Sequence, residues 1–359
     1  MDEAGDGPRR SRMIDWDLAV TVGSRVVGDG PAVTGTEATD VVAELREGAV
    51  RSTPYVRDFT GLAPPDQGAL SAPVLVVDRP GWIQANADGF AQVVSPLVDK
   101  LQEKKGPPSP LTEAVGSRIT GAELGLMLGF LGSKVLGQFD PFHEHAQESG
   151  RLLLVAPNIV QAERELAVDA HDFRLWVCLH EETHRVQFTA VPWMTEHLRS
   201  EMAQIVGSLQ TDPGRLIAEL ARRVGDVVTG RTEGSLVDLI SSPEQKAVID
   251  RITGVMSLLE GHADVVMDGV GPEVIPSVAE IRRKFTKRRK GVGALDRLLR
   301  RLLGLDQKLA QYRDGAVFVR QCVERVGMEG FNAVWAEPAN LPSKAEIHDP
   351  DAWVARVHG

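Results

Sequence analysis

The sequence predicts an α+β fold, predominantly α-helical, with one small β element. Three observations predict it. Most of the 359 residues fall into segments whose apolar positions recur every three to four residues, the period of a helix. Only two short runs, APVLVVDRP (72–80) and RLLLVAP (151–157), have the aliphatic density and flanking prolines of strands. The third observation is one unbroken apolar helix, LWVCLHEETHRVQF (175–188), which carries His180, Glu181 and His184 at its centre.

Taken in order, residues 1–12 (MDEAGDGPRRSR) read as a disordered tail, followed by a single domain over 13–359. Helices are expected over 15–27 and over 36–50, where Val41, Val42, Leu45 and Val50 repeat at helical spacing. LAPPDQGAL (62–70) reads as a turn, and the strand after it enters a helix near Trp82 that runs through Phe90, Val93 and Leu97. The polar, proline-rich EKKGPPSP marks a possible internal boundary near 102–110, read here as a loop within one domain. The next helix, 112–136, places Gly121, Gly125 and Gly129 four residues apart, a groove in which a second helix can approach closely. GQFDPFHEHAQESG (137–150) reads as a loop, and its His143 and His145 have weak geometry for a second metal site. Beyond the 175–188 helix, further helices are expected over 193–209, 213–228, 243–268, 276–288, 294–303 and 306–326, with a short docking helix at Trp353. Ser242 and Pro243 supply the start of the 243–268 helix, and Gly269 and Gly271 its end.

Composition narrows the function. The chain is 43% hydrophobic, enough to bury a sizeable core, and its most apolar stretch (121–133) is interrupted by Glu123 and several glycines, so no membrane span is expected. The N-terminus has no apolar core of a secretory signal, and Cys178 and Cys322 do not make a disulfide framework, so a cytoplasmic location is expected. A net charge of −10 argues against a general nucleic-acid binder. The basic run IRRKFTKRRKG (281–291) reads as a solvated helix end or as a local site for an anionic partner.

The chemistry lies in His-Glu-x-x-His. On a helix, His180 and His184 share a face and aim two imidazoles at one point, as two ligands of Zn²⁺ must. Glu181 lies about 100° round the helix, within reach of a metal-bound water without ligating the metal. Asp172 is available to cap the helix and Pro192 stops it. The bland alternative is a surface helix with Glu182 and Arg185 merely solvated. A charged residue at the Glu182 position also departs from the uncharged residues that zinc metallopeptidases mostly carry there. In MSLLEGHADVVMD (256–268), Glu260 and Asp264 are four apart on one helical face. Glu260 suits a third ligand, and Asp264 suits an acceptor for the free imidazole N–H of a ligand histidine. His262, on another face, is the rival third ligand. Two imidazoles and a carboxylate favour zinc over Mn²⁺ or Fe²⁺.

Glu-x-x-x-Asp downstream of His-Glu-x-x-His resembles the third-ligand motif of the gluzincins. With LGFLGSKVLGQFDP upstream and LGLDQKLAQYRDGAVFV downstream, the chain over residues 14–357 resembles the actinobacterial zincin-like, zinc-dependent metallopeptidase family. Its members are often labelled "coenzyme-biosynthesis associated" because they accompany deazaflavin-coenzyme genes. The resemblance implies a zincin-like core, mostly helical, and a hydrolase whose substrate is unassigned. It also implies that the 151–157 strand is an edge strand that binds peptide by strand addition, with Asn158 and the backbone near Val155 as candidates. A plain core strand is the alternative. Tyr312 would donate to the transition-state oxyanion, unless it simply packs in the core.

The expected activity is therefore a zinc hydrolase, of peptidase type, in which Glu181 takes a proton from a zinc-activated water and returns it to the leaving amine. The partner is a peptide or small amide, with no nucleic acid and no membrane; the oligomeric state is not legible. Two other readings share the site. One is an amidase or esterase acting on a small molecule such as a polyglutamylated coenzyme. The other is a catalytically inactive, zinc-stabilised scaffold whose fourth metal position is filled by His143, His145 or His262.

Overall fold

One strand whose second half is wholly aliphatic runs through the middle of the only sheet among the described residues. The computed structural model describes residues 14–64, 72–105, 110–145, 148–207, 243–290 and 305–359. The expected disordered tail and the expected helices over 213–228 and 294–303 lie outside them, as do Ser242 and most of the 62–70 turn. The chain forms two compact units, Met1–Ala190 with Val270–Ile281, and Val191–Gly269 with Arg282–Gly359. Within the stretch 102–110, α3 ends at Lys105 and the next helix starts at Pro110, and residues 106–109 lie outside the described residues.

The first unit begins with α1 (Trp16–Val26), α2 (Gly35–Thr60), β1 (Val74–Val77), α3 (Arg79–Lys105) and α4 (Pro110–Gly132). It continues with β2 (Gly137–His145), β3 (Glu148–Val155), α5 (Ala156–Leu166) and α6 (Ala170–Ala190). The glycine stripe of α4 does what its spacing predicts. A Cβ at Gly125 would lie 2.5 Å from the Ala19 carbonyl oxygen, and Gly121 and Gly129 likewise meet Asp15 and Val26, so α1 rests backbone-to-backbone on α4.

The sheet has the order β1-β3-β2, with β1 parallel and β2 antiparallel to β3. Leu152, Leu153, Leu154 and Val155 are all fully buried, because β3 is covered on both faces and flanked on both edges. The strand is thus central, which corrects the expectation of a substrate-binding edge strand. Residues 137–145, expected to be loop, form β2. Pro141 is tolerated because the ladder is irregular between Asp140 and Glu144, where no amide is owed to β3. Alternation along β2 sends Gln138 to the Asn86 side chain of α3 and Phe139 to the opposite face, where it stacks on Phe188 of α6 at 5.3 Å.

The second unit contains α7 (Trp193–Gly207), most of α8 (Pro243–Val274) and α9 (Val278–Lys290), α10 (Leu305–Phe331), α11 (Lys344–Ile347) and α12 (Pro350–His358). Trp353, fully buried, packs against Phe318 and Phe331 and donates its indole N–H to the Asn340 carbonyl at 2.8 Å. Helices α8 and α10 touch through glycines: a Cβ at Gly261 would lie 2.5 Å from the Ala316 nitrogen. The regular run of α8 stops at its glycine pair, as expected: the backbone breaks at Gly271, where φ is +66°, a value that glycine adopts without strain, and a last short turn follows to Val274. Among the described residues no helix is long and apolar enough to cross a membrane.

Candidate metal centre

Helix α6 is buried on most sides, and each of its faces has a separate task. Its first turn is capped by Asp169, which accepts from the Asp172 amide at 2.9 Å. Asp172, expected to be the cap, instead accepts from the Ser277 amide at 2.8 Å.

One face, Cys178, Glu182 and Arg185, turns to α2. The Cys178 sulfur sits against Gly48, where a Cβ would come within 3.0 Å. Glu182 is fully buried and accepts from Arg185 Nε (2.7 Å) and Nη2 (2.6 Å) and from the Thr53 hydroxyl (2.8 Å). The charge that departs from the usual metallopeptidase pattern is therefore a neutralised, hydrogen-bonded anchor, and the reading of Glu182 as solvated does not hold. A second face, Glu181 and Phe188, turns to β2. Gly137 lies against Glu181 so closely that a Cβ there would meet Glu181 Cγ at 2.5 Å and Oε1 at 2.9 Å. Glu181 is 7% exposed.

The third face carries His180, His184 and Gln187, which fall within an arc of about 60° on an ideal helix. The two Nε2 atoms are 3.3 Å apart and the rings stand at 90° to one another. Two nitrogens bound to one zinc at about 2.05 Å and at the tetrahedral angle lie about 3.3 Å apart, so the pair fits the ion without rearrangement. Gln187, fully buried, faces His184 Nδ1 through its Oε1 at 2.9 Å. The sequence reading missed Gln187. Its spacing, three residues after His184 and seven after His180, was the available signal.

The remaining candidates fall as follows. Glu260 and His262 are on α8 in the second unit. Glu260 is half-buried, whereas His262 is fully buried, stacked on Phe331 at 5.7 Å and edge-on to Trp335 at 5.3 Å. Asp264, expected to orient a ligand histidine, accepts from Arg282 (3.1 Å) and Arg320 (3.3 Å), and Gln187 Oε1 lies 2.9 Å from His184 Nδ1. Tyr312 lies within α10, one turn before Gly315; its side chain is outside the described residues, as is that of His145. Asn158 is 3% exposed, and its amide is engaged by Arg79 Nε (2.7 Å) and the carbonyls of Gly132 (2.7 Å) and Val135 (2.6 Å), so it holds the start of α5.

A buried helix that converges two imidazoles on one point, with a carboxylate held beside them, defines a metallohydrolase of the zincin class. The chain belongs to the zincin-like metallopeptidase family, whose model matches residues 14–354. It is also similar to a solved structure from Chloroflexus aurantiacus described as a "putative hydrolase with a novel fold". That likeness is at 30% identity, covers 96% of this chain and 98% of that chain, and has a TM-score of 0.68. No curated protein matches the chain. Family membership implies a zinc-dependent hydrolase.

Proposed function

We propose that the protein is a zinc-dependent peptidase in which His180, His184 and Glu260 hold the metal and Glu181 is the general base. The observation that carries the reading is the 3.3 Å approach of the two Nε2 atoms on α6. Glu260 is the third ligand because it follows the histidines on a second helix in the gluzincin-like Glu-x-x-x-Asp arrangement, whereas His262 is spent on aromatic packing. Zinc, when bound, supplies a Lewis acid for the scissile carbonyl and lowers the pKa of water to about 7.

Glu181 takes the proton of the attacking water at its carboxylate and delivers it to the leaving amine nitrogen. Its position against Gly137 limits the rotamers open to it, so the carboxylate is held for this transfer and not free to sweep the cleft. Tyr312 is the proposed donor to the developing oxyanion. The substrate class is a peptide or a small amide, and the narrower kinship with the deazaflavin-associated actinobacterial branch belongs to this proposal too.

The test is metal content followed by turnover. Purified protein is expected to carry about one zinc per chain by elemental analysis, and His180→Ala and His184→Ala each to abolish it. On a mixed peptide library read by mass spectrometry, Glu181→Gln should keep zinc and lose at least about a hundredfold in rate, the order expected for removal of a general base. Wild-type protein that stays metal-free in supplied zinc overturns the reading.

A further inference from the structure

We infer that Gln187 is a positioning residue that fixes His184 in the tautomer and orientation of an Nε2 metal ligand. The inference rests on the zinc reading of α6 and extends it to a residue outside the His-Glu-x-x-His motif.

An amide oxygen can only accept a hydrogen bond. Gln187 Oε1 lies 2.9 Å from His184 Nδ1, so Nδ1 must carry the hydrogen and donate it. A neutral imidazole with its hydrogen on Nδ1 has its lone pair on Nε2. That nitrogen points at His180 Nε2, 3.3 Å away, where the ion would sit. Rotating the ring half a turn would bring a carbon to the amide oxygen and leave that oxygen without this donor inside the protein. Gln187 is fully buried, so water does not compete for the bond.

The arrangement is local and therefore stiff. His180, His184 and Gln187 project from three successive turns of one helix, and no loop has to close for the acceptor to find the ring. In many metal sites a carboxylate fills this orienting role. Here the nearest sequence candidate, Asp264, is engaged with Arg282 and Arg320 in its own unit. A neutral amide orients the ring without adding a third buried carboxylate to a helix that already buries Glu181 and Glu182.

The test uses full-length wild type, Gln187→Met and Gln187→Glu. Methionine keeps the volume and removes the acceptor; glutamate keeps the acceptor. Zinc affinity, read by competition with a chromophoric chelator, is expected to fall ten- to a hundredfold in Gln187→Met, the usual range for losing such a partner, and to be retained in Gln187→Glu. The tautomer is read separately in zinc-free protein from the imidazole ¹⁵N shifts of His184. These should report hydrogen on Nδ1 in wild type and a tautomer mixture in Gln187→Met. Equal zinc affinity for wild type and Gln187→Met overturns the inference, as does an equal loss in both variants, which would make Gln187 a packing residue. If wild type binds no zinc, the peptidase reading fails, while the nitrogen shifts still decide whether Gln187 sets the tautomer.

Discussion

Gly137 and Glu181 share a space that only one side chain can occupy. The strand β2 brings its glycine Cα against the glutamate of α6, and a Cβ at Gly137 would come within 2.7 Å of Glu181 Cδ. Backbone strain does not require the glycine, whose φ is not in the left-handed region. What requires it is the carboxylate. Gly137→Ala should therefore displace Glu181 while leaving His180 and His184, on another face of the helix, in place. We expect zinc content near one per chain and a rate loss comparable to that of Glu181→Gln, about a hundredfold. The two substitutions combined should lose little more than either alone. Full activity in Gly137→Ala would show that the base moves freely.

The third ligand separates Glu260 from His262. Glu260→Ala should lose zinc as severely as either histidine variant. His262→Ala should keep zinc near one per chain but unfold more easily, by about 2 kcal/mol, because the ring fills the space between Phe331 and Trp335. Asp264→Ala should weaken zinc less than Gln187→Met does, since its described partners are arginines. A metal titration of the set decides the matter, and a three-histidine site would announce itself by loss of zinc in His262→Ala.

Glu182 tests the anchoring of the helix apart from its chemistry. Glu182→Ala strips the partner of Arg185 and of the Thr53 hydroxyl in a fully buried position. A stability loss of about 3 kcal/mol in urea unfolding is expected, the order for breaking a buried pair. Zinc stoichiometry should survive wherever the variant is folded. A loss below about 0.5 kcal/mol, typical of solvated surface sites, would contradict the burial.

Both cysteines are buried and free, and burial pushes the Cys322 thiol up to about 12, with Asp351 adding to the rise against Arg325. The thiolate is the reactive form, so at pH 8 only roughly one Cys322 in ten thousand is primed to react. Native protein should give almost no colour with a thiol-disulfide reagent at that pH, and denatured protein should give two equivalents. Rapid labelling of the native state would place a thiol at the surface.

How much of this was legible in the sequence depends on the range of the interaction that decides each feature. The stagger of His180, Glu181 and His184, the glycine stripe of α4, and most helices among the described residues follow from a period of 3.6, which adjacent residues set among themselves. The apolar runs that became β1 and β3 were legible from their local aliphatic density and flanking prolines. Tertiary structure alone decided that residues 137–145 are a strand, because their pairing with β3 offsets a proline and a glycine that locally read as loop. It alone placed β3 at the centre of the sheet, and it alone made Glu182 an anchor, since Thr53, one of its partners, lies 129 residues away in the chain. A helix closes its hydrogen bonds within a few residues, whereas a sheet and a buried charge are completed by whatever distant segment folds against them.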